Sequence, residues 1–155
     1  HDGYRDVLEI GPGTGVLSDL LFHRTEFSTV LLDIDKESIE HLHKKYPGRA
    51  GQIVEADFLK VNLNDMFSGQ FAIIGNFPYN ISSQILFRVL EMRERIPEVV
   101  GMFQKEVADR IIAKFNTSNY GRLSILSIRL SNVYKPTSRF RKAIILYLFL
   151  HDALW

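Results

Sequence analysis

Asp6-Val7-Leu8-Glu9-Ile10-Gly11-Pro12-Gly13-Thr14-Gly15-Val16-Leu17-Ser18-Asp19-Leu20-Leu21-Phe22 is the stretch whose reading decides the fold. Its first five residues form a short apolar run, the pattern of a buried strand. Three glycines follow at alternate positions, and the segment after them carries apolar residues at helical spacing. Strand, glycine turn and helix in that order open an α/β sheet of the kind that binds nucleotides. The glycines are spaced G-x-G-x-G, which departs from the G-x-G-x-x-G of dinucleotide sites. Glu9 places a carboxylate beside Gly11 and Gly13. A pyrophosphate would be repelled there, whereas an ammonium or a sulfonium would be attracted. Taken alone, the glycines also fit a plain tight turn between strand and helix.

Outward from this stretch the chain alternates. Residues 28–34 read as a second strand and 36–46 as a helix, with Asp35 as its N-cap and Pro47-Gly48 as its stop. Residues 52–56 and 71–75 read as the third and fourth strands. A helix over 82–94 presents Ile85, Leu86, Val89 and Leu90 on one face. Residues 97–104 hold a fifth strand, 105–114 and 123–130 read as helices, and the apolar run from Ala143 is a strand. Strands alternating with helices predict an α/β fold, a mainly parallel sheet with helices on both faces. Ligands of such sheets bind beyond the carboxyl ends of the strands. Glu9 to Gly15, Asp33, Asp57 and Asn76-Phe77-Pro78-Tyr79 all fall at those ends although they are far apart in sequence.

Each of these segments has a chemistry. Asp33 lies about 20 residues beyond the glycines, where an acid holds ribose hydroxyls in nucleotide-binding sheets. Asp57 is placed to accept from an adenine amine, or else to cap the turn at Phe58-Leu59. Together with Glu9 these describe a nucleoside carrying an amino-acid tail, which is S-adenosyl-L-methionine. In Asn76-Phe77-Pro78-Tyr79 the Asn amide suits an exocyclic amine. Pro78 is expected to leave its carbonyl free as an acceptor, and the Tyr79 ring can stack on a base. The plainer alternatives are a turn for Asn76 and Pro78 and a core position for Tyr79.

Composition narrows the classes. The 155 residues are 46% hydrophobic and 24% charged, the range of an ordinary globular domain. The absence of cysteine excludes disulfides and thiolate metal sites. The five histidines form no ligand set: His41 and His43 are two apart on a helix and face different ways. No metal is expected. No apolar run reaches the roughly 18 residues of a membrane span, so a cytoplasmic location without membrane association is expected. The net charge of +1 hides an asymmetry. Residues 1–109 carry 11 Lys+Arg against 17 Asp+Glu, whereas 110–151 carry eight bases and no acid. Clustered bases of this kind suit a polyanion, because each phosphate they neutralise releases a counterion; a merely solvated basic surface is the alternative.

Glu9-Ile10-Gly11-Pro12-Gly13-Thr14-Gly15, Asp33-Ile34-Asp35, Asp57-Phe58-Leu59, Asn76-Phe77-Pro78-Tyr79-Asn80-Ile81-Ser82-Ser83 and Gln104-Lys105-Glu106-Val107-Ala108-Asp109-Arg110 resemble, in order and spacing, the KsgA-type ribosomal RNA adenine dimethyltransferases. The resemblance covers roughly residues 6–130, and the stretch 104–110 favours this family over the related Erm methylases. It implies a Rossmann-like class I S-adenosylmethionine-dependent methyltransferase sheet of seven strands, the last antiparallel. It also implies methyl transfer to N6 of two adjacent adenosines of small-subunit rRNA, within a ribosome-assembly particle. By position, Glu9, Gly11 and Gly13 would surround the methionine part of the cofactor. Asp33, where the family usually has Glu, would hold the ribose. Ile34 would pack on the adenine and Asp57 would accept from its amine. Asn76 would serve both the cofactor side and the target N6, and Tyr79 would stack on the flipped base.

Three family features are not found in these residues: a Gly-Gln-x-Phe-Leu-type segment before the first strand, a Phe-x-Pro-Pro-Pro-x-Val-x-Ser segment near 134–142, and a C-terminal helical domain. The chain is therefore expected to be one catalytic domain over 1–155, monomeric, and a fragment, a truncated homologue or a sequence with gaps. Two rival readings stand beside methylation of rRNA. A non-catalytic rRNA-binding or ribosome-assembly protein would suit the basic last third. A protein glutamine N-methyltransferase would use a related Asn-x-Pro-Tyr motif, although Phe77 speaks against it.

Overall fold

The computed structural model describes residues 3–78, 80–111, 132–134 and 143–149. They form a seven-stranded sheet: β1 (Asp6–Ile10), β2 (Ser28–Asp33), β3 (Ile53–Glu55), β4 (Phe71–Asn76), β5 (Glu98–Gln104), β6 (Asn132–Tyr134) and β7 (Ala143–Phe149), in the spatial order β3-β2-β1-β4-β5-β7-β6. The first five strands pair in parallel. β7 runs antiparallel to both β5 and β6. Four helices connect them: α1 (Val16–Phe22), α2 (Lys36–Lys45), α3 (Ser82–Glu91) and α4 (Lys105–Ile111). A 3-10 turn, Pro47–Gln52, precedes β3.

The central strand shows why the sequence folds this way. Val7, Leu8, Glu9 and Ile10 are all buried, as a strand covered on both faces demands. Adjacent Leu31 and Leu32 of β2 point to opposite faces. Leu31 joins Ile39 and Leu42 of α2 in one apolar cluster. Leu32 joins Leu8, Ile10, Ile73 and Val99 with Ile85, Leu86 and Val89 of α3 in the larger one. The sheet is therefore sandwiched by helices, as expected from the alternation of elements.

Helix boundaries follow local chemistry. Asp35 caps α2, accepting from Ser38 N at 3.0 Å and Ser38 Oγ at 2.7 Å, an arrangement worth about 1 kcal/mol. These bonds hold the Asp35 carboxyl below its ordinary pKa. α3 ends at Glu91, three residues before the expected end. The Arg95 guanidinium, tied to the Asn64 side chain, the Phe67 carbonyl and the Gly69 carbonyl, turns the chain back toward β4. The expected helix over 105–114 is described as far as Ile111, and the one over 123–130 lies outside the described residues. Neither the 3-10 turn nor β6 was expected. Among the described residues no helix is long and apolar enough to cross a membrane.

Candidate active site

β1, β4 and β5 end side by side at the carboxyl edge of the sheet, and all three contribute residues to the same place. A cleft of about 570 Å³ opens there. Its floor is the glycine turn, Gly11, Pro12, Gly13 and Thr14. Its walls are Val16, Leu17 and Leu20 of α1, Ile74, Gly75 and Asn76 of β4, and Val100 to Met102 of β5. Of the residues singled out in the sequence, Glu9, Gly11, Gly13 and Asn76 are brought together in this cleft.

The glycines have distinct duties. All three have positive φ: 68° at Gly11, 54° at Gly13 and 76° at Gly15. A side chain there would be strained. A Cβ at Gly11 or Gly13 would meet nothing within 4 Å, so both leave backbone bare toward the cleft. Asp33, at the tip of β2, supports the turn from the side. Its Oδ2 accepts from Gly13 N at 3.3 Å and its Oδ1 from Asp35 N at 3.0 Å.

Glu9 is 2% exposed, a carboxylate inside an apolar layer. Ser18 Oγ donates to its Oε2 at 2.7 Å. Burial pushes its pKa up to about 7; the Ser18 bond opposes that shift, the negative charges of Asp19 and Asp33 add to it, and the Lys45 ammonium opposes it. An ordinary glutamate is neutral only in acid, so this one is poised to gain from a cation placed in the cleft.

Asn76 ends β4, exposed, opposite Met102 of β5. Phe77 is buried and turns under the sheet, its ring centroid 5.1 Å from that of Phe103. Asn76 and Pro78, both exposed, are thereby held at the surface on either side of a core anchor. One expectation is corrected. The Pro78 carbonyl is not free: it accepts from Ile81 N at 3.2 Å and Ser82 N at 3.0 Å in the turn that opens α3. Tyr79 lies outside the described residues.

Ile34 and Asp57 do not line the cleft. Ile34 is 67% exposed, next to Asp33 at the β2 tip. Asp57 Oδ1 accepts from Leu59 N at 2.9 Å, with Lys60 Nζ 3.4 Å from its Oδ2. The turn-capping alternative is thus realised for Asp57. Both belong to the β2–β3 flank, which is tied to the glycine turn by the bond from Gly13 N to Asp33. Sequence reasoning missed Ser18, and also the apolar wall of Val16, Leu20 and Met102. In the sequence the signal for that wall was a second apolar i, i+4 pair, Val16 and Leu20 beside Leu17 and Leu21, and the structure leaves the first pair 73% and 66% exposed.

A parallel sheet in the order 3-2-1-4-5 with an antiparallel hairpin at its edge, and a bare glycine turn beside a buried acid, define the class: the Rossmann-like fold of S-adenosylmethionine-dependent methyltransferases. The comparisons narrow it. The model of the family "Ribosomal RNA adenine dimethylase" matches residues 4–134, and the chain belongs to that family. Ribosomal RNA small subunit methyltransferase A of Cytophaga hutchinsonii is 55% identical over 126 residues, 81% of this chain and 49% of that protein. The chain thus spans about half the length of that relative. A dimethyladenosine transferase from Plasmodium falciparum superposes with a TM-score of 0.76 at 28% identity, over 97% of this chain and 57% of its own. The 23S rRNA methyltransferase ErmE gives 0.73 at 27% identity, over 96% and 62%.

Proposed function

We propose that this chain forms the catalytic domain of an S-adenosylmethionine-dependent dimethyltransferase acting on N6 of adjacent adenosines in small-subunit rRNA, as a monomer in the cytoplasm. The observation that carries the reading is the shared cleft: Asn76, the buried carboxylate of Glu9 and the bare backbone of Gly11 and Gly13 face one space. The residues present fit the cofactor. Side chains at Gly11 and Gly13 would fill the cradle, and Glu9 offers negative charge where an ammonium or a sulfonium would lie. Asp33 would receive the ribose hydroxyls, with Ile34 and Asp57 extending the surface toward the adenine.

The cofactor supplies an electrophilic methyl group on a sulfonium sulfur, itself a good leaving group. The chain's own task is to present a poor nucleophile, since the adenine N6 lone pair is conjugated into the ring. Asn76 Oδ1 accepts an N–H of the amine, which favours a tetrahedral nitrogen with its lone pair aimed into the cleft. The second acceptor first expected of Pro78 is engaged in the α3 turn, so Asn76 carries this recognition, and Pro78 shapes the backbone that presents it. Tyr79 is assigned the stacking of the extruded base, offsetting part of the few kcal/mol that unstacking costs. Positioning and preorganised charge account for the rate, with no protein nucleophile and no metal.

Asn76→Ala is expected to lower methyl transfer to undermethylated small-subunit rRNA by at least about a hundredfold, while calorimetric S-adenosylmethionine affinity stays within about threefold. Turnover near that of the parent would overturn the mechanism.

A further inference from the structure

Behind the cleft, the structure holds a cluster of side chains, Asp19, Lys45 and Tyr46, to which the proposed reaction assigns no direct part. Lys45 Nζ donates to three oxygens: the Thr14 carbonyl at 3.1 Å, the Gly15 carbonyl at 3.1 Å and Asp19 Oδ2 at 2.7 Å. Tyr46, the next residue, donates its hydroxyl proton to Asp19 Oδ1 at 2.6 Å, and the same oxygen lies 3.0 Å from the Gly15 carbonyl. The C-terminal end of α2 thus grips the last two residues of the glycine turn and the first turn of α1 together. We infer that Asp19, Lys45 and Tyr46 form a clasp that fixes the glycine turn in its ligand-receiving conformation, acting as positioning residues from outside the cleft. The inference rests on the reading of that cleft as the cofactor site.

Three observations carry it. First, the glycines divide by the direction in which they are bare. Gly11 and Gly13 open toward the cleft, whereas a Cβ on Gly15 would lie 2.9 Å from Tyr46 Oη, 3.0 Å from Leu42 Cδ2 and 3.3 Å from Lys45 Nζ. The third glycine is therefore required by the clasp as well as by its own φ of 76°. Second, Gly15 caps α1 without any side-chain hydrogen bond. The tie between this helix entrance and the rest of the fold is instead the Asp19 carboxylate of its first turn, bonded by Lys45 and Tyr46. Third, the ion pair is half open to water, with the Lys45 side chain 30% and the Asp19 side chain 45% exposed. Such a pair adds little to global stability, yet two donor groups, the Lys45 ammonium and the Tyr46 hydroxyl, converge here on two main-chain oxygens and one carboxylate. The bonds from Lys45 and Tyr46 hold the Asp19 carboxyl below its ordinary range, and the Asp19 bond raises Lys45, so both stay charged around neutral pH.

The clasp works from the face of the turn opposite the ligand. Apart from the clasp, the turn's only side-chain support among the described residues is the 3.3 Å bond from Gly13 N to Asp33. That bond is long, and Asp33 must be available to the ligand. The rear grip lets Asp33 exchange partners without loss of the turn.

The test compares the parent chain with Tyr46→Phe, Lys45→Met and Lys45→Arg by three measurements: calorimetric titration with S-adenosylmethionine, urea unfolding, and hydrogen exchange at the Gly15 amide, which is bonded to the Pro12 carbonyl at 2.8 Å. Tyr46→Phe and Lys45→Met are expected to weaken binding about tenfold and to speed Gly15 exchange, with the urea midpoint near the parent's. Lys45→Arg, which keeps the cation and its donors, is expected to stay within about threefold. Variants that bind and exchange like the parent would overturn the clasp, as would affinity that falls only in step with stability. A parent that does not bind would instead refute the cofactor reading; Gly15 exchange would still report whether the clasp holds the turn.

Discussion

At the scale of a single residue, Glu9 states the conflict most clearly. A carboxylate on the central strand of a covered sheet costs stability when ionised, because desolvation disfavours its charge and Ser18 supplies one hydrogen bond in place of a water shell. Its folded pKa of about 7 stands above the ordinary 4.5. Between these values the folded state holds a proton that the unfolded chain has released. This contribution to stability is therefore complete below about pH 4.5 and lost as pH rises through 7. Glu9→Gln removes the titration and retains an acceptor for Ser18. It is expected to match the parent in urea unfolding at pH 4 and to exceed it by up to roughly 3 kcal/mol at pH 8. Binding should move oppositely: parent affinity for the sulfonium cofactor rises as pH increases through 7, and that of the variant stays weak and flat. A parent with pH-independent affinity over this range would show that the carboxylate does not serve the ligand. Glu9 and the bare glycines were legible because local spacing alone puts an acid beside the turn. Ser18 was not, since only the packing of α1 on β1 brings it to Glu9. The engagement of the Pro78 carbonyl was likewise hidden, because it depends on how α3 begins.

At the scale of elements, the carboxyl ends of β4 and β5 depend on one ring. Phe77 folds under both strands, and the glycine in each leaves room for it. A Cβ on Gly101 would stand 2.3 Å from Phe77 Cε2 and 2.6 Å from Phe103 Cε2, and one on Gly75 would stand 2.5 Å from the Ile10 carbonyl oxygen. Gly101→Ala should therefore destabilise by about 1–3 kcal/mol through overpacking. In a Phe77→Leu background the same substitution should cost less. A double-mutant cycle in urea measures that coupling, and strict additivity would mean that the ring does not anchor the Asn76 segment. This arrangement also marks the limit of what the sequence reveals about elements. Strands and helices with a full apolar face and a local stop were legible to within about two residues: the helix expected over 36–46 is Lys36–Lys45, bounded by Asp35 and Pro47. Elements fixed by distant partners were not. β6 is three residues long and among the described residues pairs only with β7, and the chain just past the early end of α3 is tied through Arg95 to the 64–69 segment.

At the scale of the whole molecule, charge separates two tasks. The segment 1–109, which builds the cleft, carries a net charge of −6, whereas 110–151 carries +8. On the proposed function, the acidic segment suits a cationic cofactor and repels RNA phosphates, so within this chain the contribution to polyanion affinity is assigned to 110–151. The salt dependence of binding reads that division. For single-stranded RNA, log K falls against log salt with a slope near −0.7 per phosphate neutralised. Replacing Arg139, Arg141 and Lys142 by Gln should therefore flatten the slope by about 2, measured on a small-subunit rRNA fragment between 50 and 200 mM salt. S-adenosylmethionine affinity should remain within about twofold, because the residues that build the cleft and its clasp lie between Glu9 and Met102. An unchanged slope would place the RNA contacts elsewhere. A loss of cofactor affinity along with the slope would show that the two halves form one energetic unit, and that the acidic half alone does not define the site.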